Sequence, residues 1–391
     1  MKILYSAIDQ SIPAAHGGAV HVTAVAEGLA ALGHEVHVLA TPGAQAFPTA
    51  RVNWQSMGPP LGLRQLRFMR AGAVRRIALA LQPDVIVERY YNFGGEAILS
   101  ARRLHAVAVL EVNAPVIDYP GSTKHRLDQF LLVEPMRRWR ERLCRSADLI
   151  VTPSAKMIPA FVPASRVLTT EWGADTTRFH PGAGGQVPFS REPSDTIVVF
   201  AGAFRAWHGA IHLIEAMRRL RERGRHDIIT VLIGAGPELS RVRAAAAGLS
   251  GITFTGAVPH DQMPACLAAA DVGVAPFDLT AHRSLAWEFH WSPLKIFEYM
   301  ASGLPVVAPR IERLAHIIRD GIEGVLYEQG DPGSLAAALE RLANAGDRRA
   351  LGTAARLRAV QLFSWQRHCE RLDQAIRAAH AGVQNVAECA S

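Results

Sequence analysis

The sequence predicts an α/β protein of two domains in series, each built on its own parallel sheet. Three observations predict this. Short apolar runs ending in polar loops alternate with helix-periodic segments, and β-loop-helix-β is the unit of a parallel sheet. The alternation breaks once, at "HPGAGGQVPFSREPS" (residues 180–194), which is rich in Gly, Pro and Ser and has no periodicity, and then starts afresh. The chain has 391 residues, long for one core and suited to two domains of ordinary size. The expected domains are 1–185 and 195–364, and the last periodic segment, within 365–391, could pack on either one.

The elements follow in order. "KILYSAI" (2–8) is a strand, residues 19–32 carry apolar side chains at spacings of three and four and stop at Gly33, and "EVHVLA" (35–40) is the next strand. "DVIVERYY" (84–91), "AVAVLEVNAP" (106–115) and "ADLIVTPS" (147–154) each read as a buried strand running into a loop. Beyond the linker, "TIVVFAGAF" (196–204), "DIITVLIGAG" (227–236), "ITFTGAVP" (252–259), "DVGVAPF" (271–277) and "PVVAP" (305–309) read as strands, with a helix over 211–223. Ligands of such open sheets bind at the carboxyl ends of the strands, and two sheets joined by one linker suggest a cleft between them.

Composition narrows the function. Hydrophobic residues make up 49% and charged residues 20%, which excludes a disordered chain. A formal net charge of +7 suits anionic ligands, an anionic membrane surface or nucleic acid, without choosing among them. Cys144, Cys266, Cys369 and Cys389 are scattered without a C-x-x-C pair, so neither a disulfide framework nor a zinc site is expected. A reducing cytoplasm is the expected compartment. "MKILYSAIDQ" is too short and polar for a signal peptide, and no apolar run is long enough to span a bilayer. No Asp-x-Asp and no G-x-x-x-x-G-K-[ST] occurs.

The most informative stretch is "SPLKIFEYMASGLP" (292–305). Ser292 is a candidate helix cap, Pro293 suits the first helical position, and Gly303 and Pro305 end the helix. With Leu294 and its apolar neighbours inward, one polar stripe remains: Lys295, Glu298 and Ser302. A lysine in the first turn opposes the helix dipole unless an anion sits there. Two readings stand: an ion pair between Lys295 and Glu298, or a diphosphate held by Lys295 and the helix start, with Glu298 accepting from ribose hydroxyls. In "HGGAVHV" (16–22), Gly17 and Gly18 open a helix and let backbone approach a ligand. In "GAFRAWHG" (202–209), Arg205 and His208 lie at the rim of the second sheet, where an arginine suits diphosphate. "IGAGPE" (233–238) is a weak dinucleotide fingerprint because Leu239 stands where a third glycine belongs. The basic stretches 63–81 and 137–145 mix Arg with Leu, Phe, Met and Trp, and read either as interfacial helices meeting anionic lipid or as surface helices with a charged outer face.

Taken in order, these pieces resemble the retaining glycosyltransferases of the GT-B fold, family 4, over nearly the whole chain. "GGAVHVTAVAEGLAALGHEVHVLA", "ADLIVTPSAKM", "EWGADTTRFHP", "GAFRAWHG", "IGAGPE", "FTGAVPHDQMPACLAAADVGVAPF" and "SPLKIFEYMASGLPVVA" carry the resemblance in sequence and spacing. It implies two facing Rossmann-like domains, a nucleotide-diphosphate sugar held mainly by the second, an acceptor held mainly by the first, retention of anomeric configuration, and no metal or other cofactor. The chain departs from the family pattern in four places. Ala203 and His208 stand where the family has an arginine and a lysine, His290 where it has the first glutamate of an E-x7-E pair, and Trp172 where it has an asparagine. Arg205 and Lys295 are the available replacement cations.

The resulting expectation is a cytoplasmic retaining glycosyltransferase, at the inner face of the membrane if the basic helices meet lipid. It would move a sugar from a nucleotide donor to a hydroxyl of a glycan or lipid-linked acceptor, with no nucleic-acid partner. Arg205 and Lys295 would hold the diphosphate with help from His208. Glu298 would bind the ribose, and Gly17 and Gly18 would approach the sugar or phosphate. His290, Ser292, Pro293 and Leu294 would lie against the donor, and Glu111 and Asn113 would serve the acceptor. The alternatives are a catalytically inert carbohydrate-binding relative and an NAD(P)-dependent oxidoreductase on the same type of sheet.

Overall fold

The computed structural model describes residues 1–14, 16–48, 50–119, 122–344 and 346–390, with side chains described through residue 384. The chain forms two compact units. The first comprises residues 1–172, 290–292 and the C-terminal segment from Trp365, and the second residues 173–289 and 293–364. The division therefore falls at Trp172, and the Gly/Pro-rich stretch 180–194 packs with the second unit.

In the first unit seven parallel strands, β1 (Lys2–Ile12), β2 (Glu35–Pro42), β3 (Asn53–Ser56), β4 (Val85–Arg89), β5 (Val107–Glu111), β6 (Leu149–Thr152) and β7 (Val167–Thr169), stand in the order β3-β2-β1-β4-β5-β6-β7. The winding reverses between β1 and β4, where Ser6 lies beside Glu88. β3 and β7 are edge strands of only four and three residues, which is why the sequence pattern does not announce them. One face is covered by α1 (Gly17–Ala31); the other by α2 (Ala71–Leu81), a 3₁₀ segment Ile98–Leu104 and α4 (Pro135–Ser146), on which α3 (Thr123–Leu131) packs. The stretch 63–81 is not one surface helix: residues 64–70 form 3₁₀ turns before α2, and Arg67 is fully buried. Within 137–145, Arg140 is likewise buried, its Nη2 2.6 Å from Asp118.

The second unit has six parallel strands, β8 (Thr196–Ala201), β9 (Ile228–Ile233), β10 (Ile252–Gly256), β11 (Val272–Val274), β12 (Val306–Pro309) and β13 (Gly324–Tyr327), in the order β10-β9-β8-β11-β12-β13. Its winding reverses between β8 and β11. The helices are α5 (Ala210–Glu222), α6 (Leu239–Ala245), α7 (Met263–Ala268), α8 (Arg283–Trp287), α9 (Leu294–Ala301), α10 (Glu312–Ile317), α11 (Pro332–Asn344) and α12 (Arg348–Leu362). The strand cores are continuous Val/Ile/Leu runs because both sheet faces are covered.

The final helix, α13 (Trp365–Ala390), belongs to the first unit. Cys369, Leu372 and Ile376, spaced three and four apart, are buried, and the latter two join the apolar core under α1. Cys144, Cys266 and Cys369 are buried free thiols, and the side chain of Cys389 lies outside the described residues.

Candidate functional site

In each unit the chemistry-bearing side chains gather at the carboxyl ends of the strands, at the point where the winding reverses. Loops there diverge to opposite faces and leave a crevice.

In the second unit β8 runs into Gly202, Ala203, Phe204 and Arg205, and β11 into Phe277. The first turn of α9 delivers Lys295 to the same place. Its Nζ lies 4.4 Å from the ring centre of Phe200 and 5.4 Å from that of Phe277. The ammonium is enclosed and makes no hydrogen bond, although part of the side chain reaches the surface. Burial pushes its pKa down to about 7, with Glu298 pulling weakly the other way. A lone buried ammonium costs far more than two aromatic faces return. The ion pair with Glu298 does not form. Glu298 instead faces His260, whose Nε2 is 3.5 Å from Oε1.

Gly202 explains how the lysine fits. It has φ +147°, and a Cβ there would stand 2.9 Å from Lys295 Nζ. Gly234 of the "IGAG" motif is needed for packing: a Cβ there would come within 2.0 Å of the Gly202 carbonyl oxygen. That close approach accounts for the glycine without a dinucleotide.

His208, expected to help Arg205 and Lys295 with the diphosphate, is neutral. Its Nδ1 is bonded to the Ala203 carbonyl, and burial, then the charge of Lys295, push its pKa down to about 2. The neutral ring therefore donates through Nδ1 and keeps a lone pair on Nε2. Arg205 is exposed, with its guanidinium carbon 5.4 Å over Trp207, and forms no ion pair among the described residues. Arg205 and Lys295 are thus the two uncompensated cations near this strand end.

Ser292 does not cap α9. The cap position is Pro293 without a side-chain bond, and Leu294 begins the helix. Ser292 Oγ donates to Glu171 at 2.7 Å and accepts from the Trp172 backbone N–H at 2.8 Å. Both partners lie in the first unit, as do Ser292 and His290. His290, expected against the donor, is buried at 1% exposure, and its ring lies 5.7 Å from that of Trp291.

In the first unit, His16 caps α1, its Nδ1 accepting from the Ala19 N–H at 3.2 Å. At Gly18 a Cβ would meet the Gln10 side-chain oxygen at 2.2 Å, so a larger residue would make that side chain move. Gly17 is the first residue of α1. Around the end of β1 lies a buried charge network. Arg67 binds Glu96 and reaches Asp9 at 3.1 Å. Burial works to raise the Asp9 pKa, but Arg67 and Arg89 overcome it and hold the carboxyl below its usual range.

Glu111 is an internal support rather than an open acceptor contact. It accepts from Tyr5 Oη, from Asn113 Nδ2, and from Arg89 Nη1 at 2.8 Å. Asn113 also accepts from Trp172 Nε1 at 3.2 Å, and the Trp172 ring lies 4.3 Å from His21. Trp172, which replaces an expected asparagine, thus ties α1 to the end of β5. Arg89 keeps a buried Nε without a partner. Arg89, Asp9 and Arg67 did not stand out as site residues in the sequence. The available signal was the charged pair Glu88–Arg89 closing an otherwise apolar strand, where charge is costly unless paired. His260 had no sequence signal at all.

Residues 195–345 match the family described as glycosyl transferases group 1, and residues 15–162 match Glycosyltransferase Family 4. A GDP-mannose-dependent alpha-mannosyltransferase of Corynebacterium glutamicum is 26% identical over 94% of this chain and 86% of its own. A D-inositol 3-phosphate glycosyltransferase of Salinispora tropica is 26% identical over 90% and 79%. Among solved structures, sucrose-phosphate synthase from Thermosynechococcus elongatus superposes with a TM-score of 0.76 at 20% identity, covering 97% of this chain and 99% of that one. HepE of Anabaena, in complex with UDP, gives 0.70 at 18% identity over 97% and 100%. At those identities the structural likeness speaks to fold.

Proposed function

The chain belongs to the group 1 glycosyltransferases of family 4, a hexosyltransferase of GT-B fold that uses nucleotide-sugars, and from that premise we propose a retaining, metal-independent transfer to a hydroxyl of a glycan or lipid-linked acceptor. Membership sets aside the oxidoreductase reading. The observation that carries the proposal is the unpartnered ammonium of Lys295 beside Gly202, at the start of a helix and the reversal point of the sheet.

A diphosphate at that position would give Lys295 the counter-charge it lacks, with Arg205 the second cation and the N–H groups opening α9 as further donors. The costly event in the reaction is departure of the nucleoside diphosphate while the sugar develops positive charge. Cations fixed before that event stabilise it without reorganising. Two fixed cations perform the charge compensation a metal would otherwise give, which supports metal independence. A leaving phosphate held on the acceptor's side of the sugar can itself take the acceptor's proton, which accounts for retention without a side-chain base. Glu298, on the same stripe and partly exposed, accepts from the ribose hydroxyls. In the first unit Arg89 and Asp9 face the acceptor, with Glu111 and Asn113 positioning Arg89 and Trp172.

GDP-mannose is the first donor to test, since the C. glutamicum relative is named for it. The experiment is donor turnover by Lys295→Ala. Loss of turnover supports the diphosphate role and separates the enzyme from an inert binding relative; undiminished turnover would remove Lys295 from the site.

A further inference from the structure

Side chains of the first unit form a closed circuit around Arg89, the last residue of β4. Arg89 Nη1 donates to Glu111 Oε1 at 2.8 Å and to His21 Nδ1 at 3.1 Å. Asn113 Nδ2 donates to the same Glu111 oxygen, and Trp172 Nε1 donates to Asn113 Oδ1 at 3.2 Å. The Trp172 ring closes the circuit 4.3 Å from that of His21. His21 accepts from an arginine only as the neutral imidazole; burial, then the charge of Arg89, keep it neutral. Both hydrogens of Nη1 are thereby committed, and the guanidinium is held from two sides. Trp172 stands where the family has an asparagine, so this clamp belongs to this chain.

The clamp leaves the other edge of the guanidinium idle. Arg89 is only 8% exposed, its Nε is enclosed without a partner, and Nη2 makes no hydrogen bond among the described residues. Nε and Nη2 form the side-on edge of the fork, two parallel donors that match two oxygens of one planar group. Buried polar groups are nearly always satisfied, and a charged donor left without a partner is costly.

The surrounding charges select the partner. Glu111 is filled by Arg89, Asn113 and Tyr5. Glu88 is held by the backbone N–H groups of Gly95, Ala97 and Ile98. Asp9 and Glu96 share Arg67. Arg64 is exposed and forms no ion pair among the described residues, and its charge, after burial, depresses His16 at the start of α1. Arg64, Arg67 and Arg89 thus answer Asp9, Glu96 and Glu111 one for one. A phosphate ester would bring nearly two negative charges to this balanced set. A carboxylate brings one, on the planar oxygen pair that the fork fits.

We propose that the acceptor carries a carboxylate, as a uronic acid residue does, and that Arg89 binds it bidentately through Nε and Nη2, with His21, Asn113 and Trp172 as positioning residues. This rests on the reading of the first unit as the acceptor side and names the class of acceptor that side selects. The carboxylate is a recognition group; the hydroxyl that receives the sugar is a separate group of the same acceptor.

The test is frontal affinity chromatography on the immobilised full chain, without donor. The probes are oligosaccharides ending in glucuronate, galacturonate or mannuronate, each beside its carboxyl-reduced counterpart, and glucose 6-phosphate. At least one uronate should be retained ~10-fold more strongly than its reduced form and than the phosphate ester. Arg89→Lys keeps the charge and loses the fork, so that ratio should fall close to one. Trp172→Phe keeps a ring over His21 and loses the bond to Asn113; the ratio should fall at least ~3-fold while the melting temperature holds. The proposal is overturned if no uronate is preferred to its reduced form, or if the phosphate ester is retained more strongly. An undiminished ratio in Arg89→Lys overturns it as well, and one in Trp172→Phe removes the positioning role. Nucleotide-sugar affinity, measured on the same protein, reports on Lys295 alone, so failure of the transfer reading shows there and not in the uronate ratio.

Discussion

Donor binding should take up a proton, and the structure sets the size of the effect. In the empty site burial holds the Lys295 pKa at about 7, against about 10.5 for an exposed lysine. A bound diphosphate favours the charged form, so the pKa rises in the complex. Affinity is then proportional to the fraction already protonated in the empty site: about half at pH 7 and about one part in a hundred at pH 9. Nucleotide-sugar affinity should therefore fall roughly 50-fold over that range, about 2.3 kcal/mol. Titration calorimetry in buffers of different ionisation enthalpy should count about half a proton taken up at pH 7 and nearly one at pH 9. Lys295→Arg, charged throughout, should flatten the profile. His208→Gln checks whether the second imidazole nitrogen at this strand end contributes to the same signal. A flat affinity profile with no proton uptake in the wild type would refute the assignment of Lys295 to the anion site. The same shift makes the empty protein more stable at high pH. The folded-state pKa is depressed, so the neutral form's contribution is full above about pH 10.5 and is lost as the pH falls toward 7.

Other outcomes follow from neighbouring contacts. Glu298→Gln should weaken nucleotide-sugar binding about 10-fold by removing a charged hydrogen-bond acceptor, with acceptor KM unchanged in steady-state assays. Gly202→Ala would place a methyl 2.9 Å from Lys295 Nζ, so donor affinity measured by calorimetry should fall at least ~10-fold, and an unaltered affinity would show that the lysine can leave without consequence. Arg67→Met should destabilise the protein by about 3–5 kcal/mol in urea unfolding, because Glu96 and Asp9 lose their buried counter-charge. Tyr5→Phe should cost about 1–2 kcal/mol in the same measurement, since Glu111 loses a buried donor.

How much of this was legible in the sequence differs by element. The strands 85–89, 107–111 and 149–152 stand out as unbroken apolar runs because helices cover both sheet faces, and a fully buried strand has no polar positions to blur it. Edge strands 53–56 and 167–169 are only four and three residues long, so local pattern does not reveal them. Lys295 and Glu298 were visible as a polar stripe on an apolar helix. The choice between ion pair and ligand site was not, since spacing permits both. His208 aligned with a cation by position, yet its protonation is decided by burial beside Lys295 and a bond to the Ala203 carbonyl. Ser292 looked like a cap from its place before Pro293, and a glutamate 121 residues away claimed its hydroxyl.

By itself the sequence determined the alternation of strands and helices, the two-unit organisation and the family, because these rest on local periodicity and on motifs in order along the chain. Only the tertiary structure decided which charges are compensated. Arg67, Arg89 and Arg140 read as interchangeable with surface arginines, but they meet carboxylates brought close by the sheet, while Lys295, on an equally apolar background, meets none. Charge compensation depends on distances between residues remote in sequence, and burial sets the energy of each such distance.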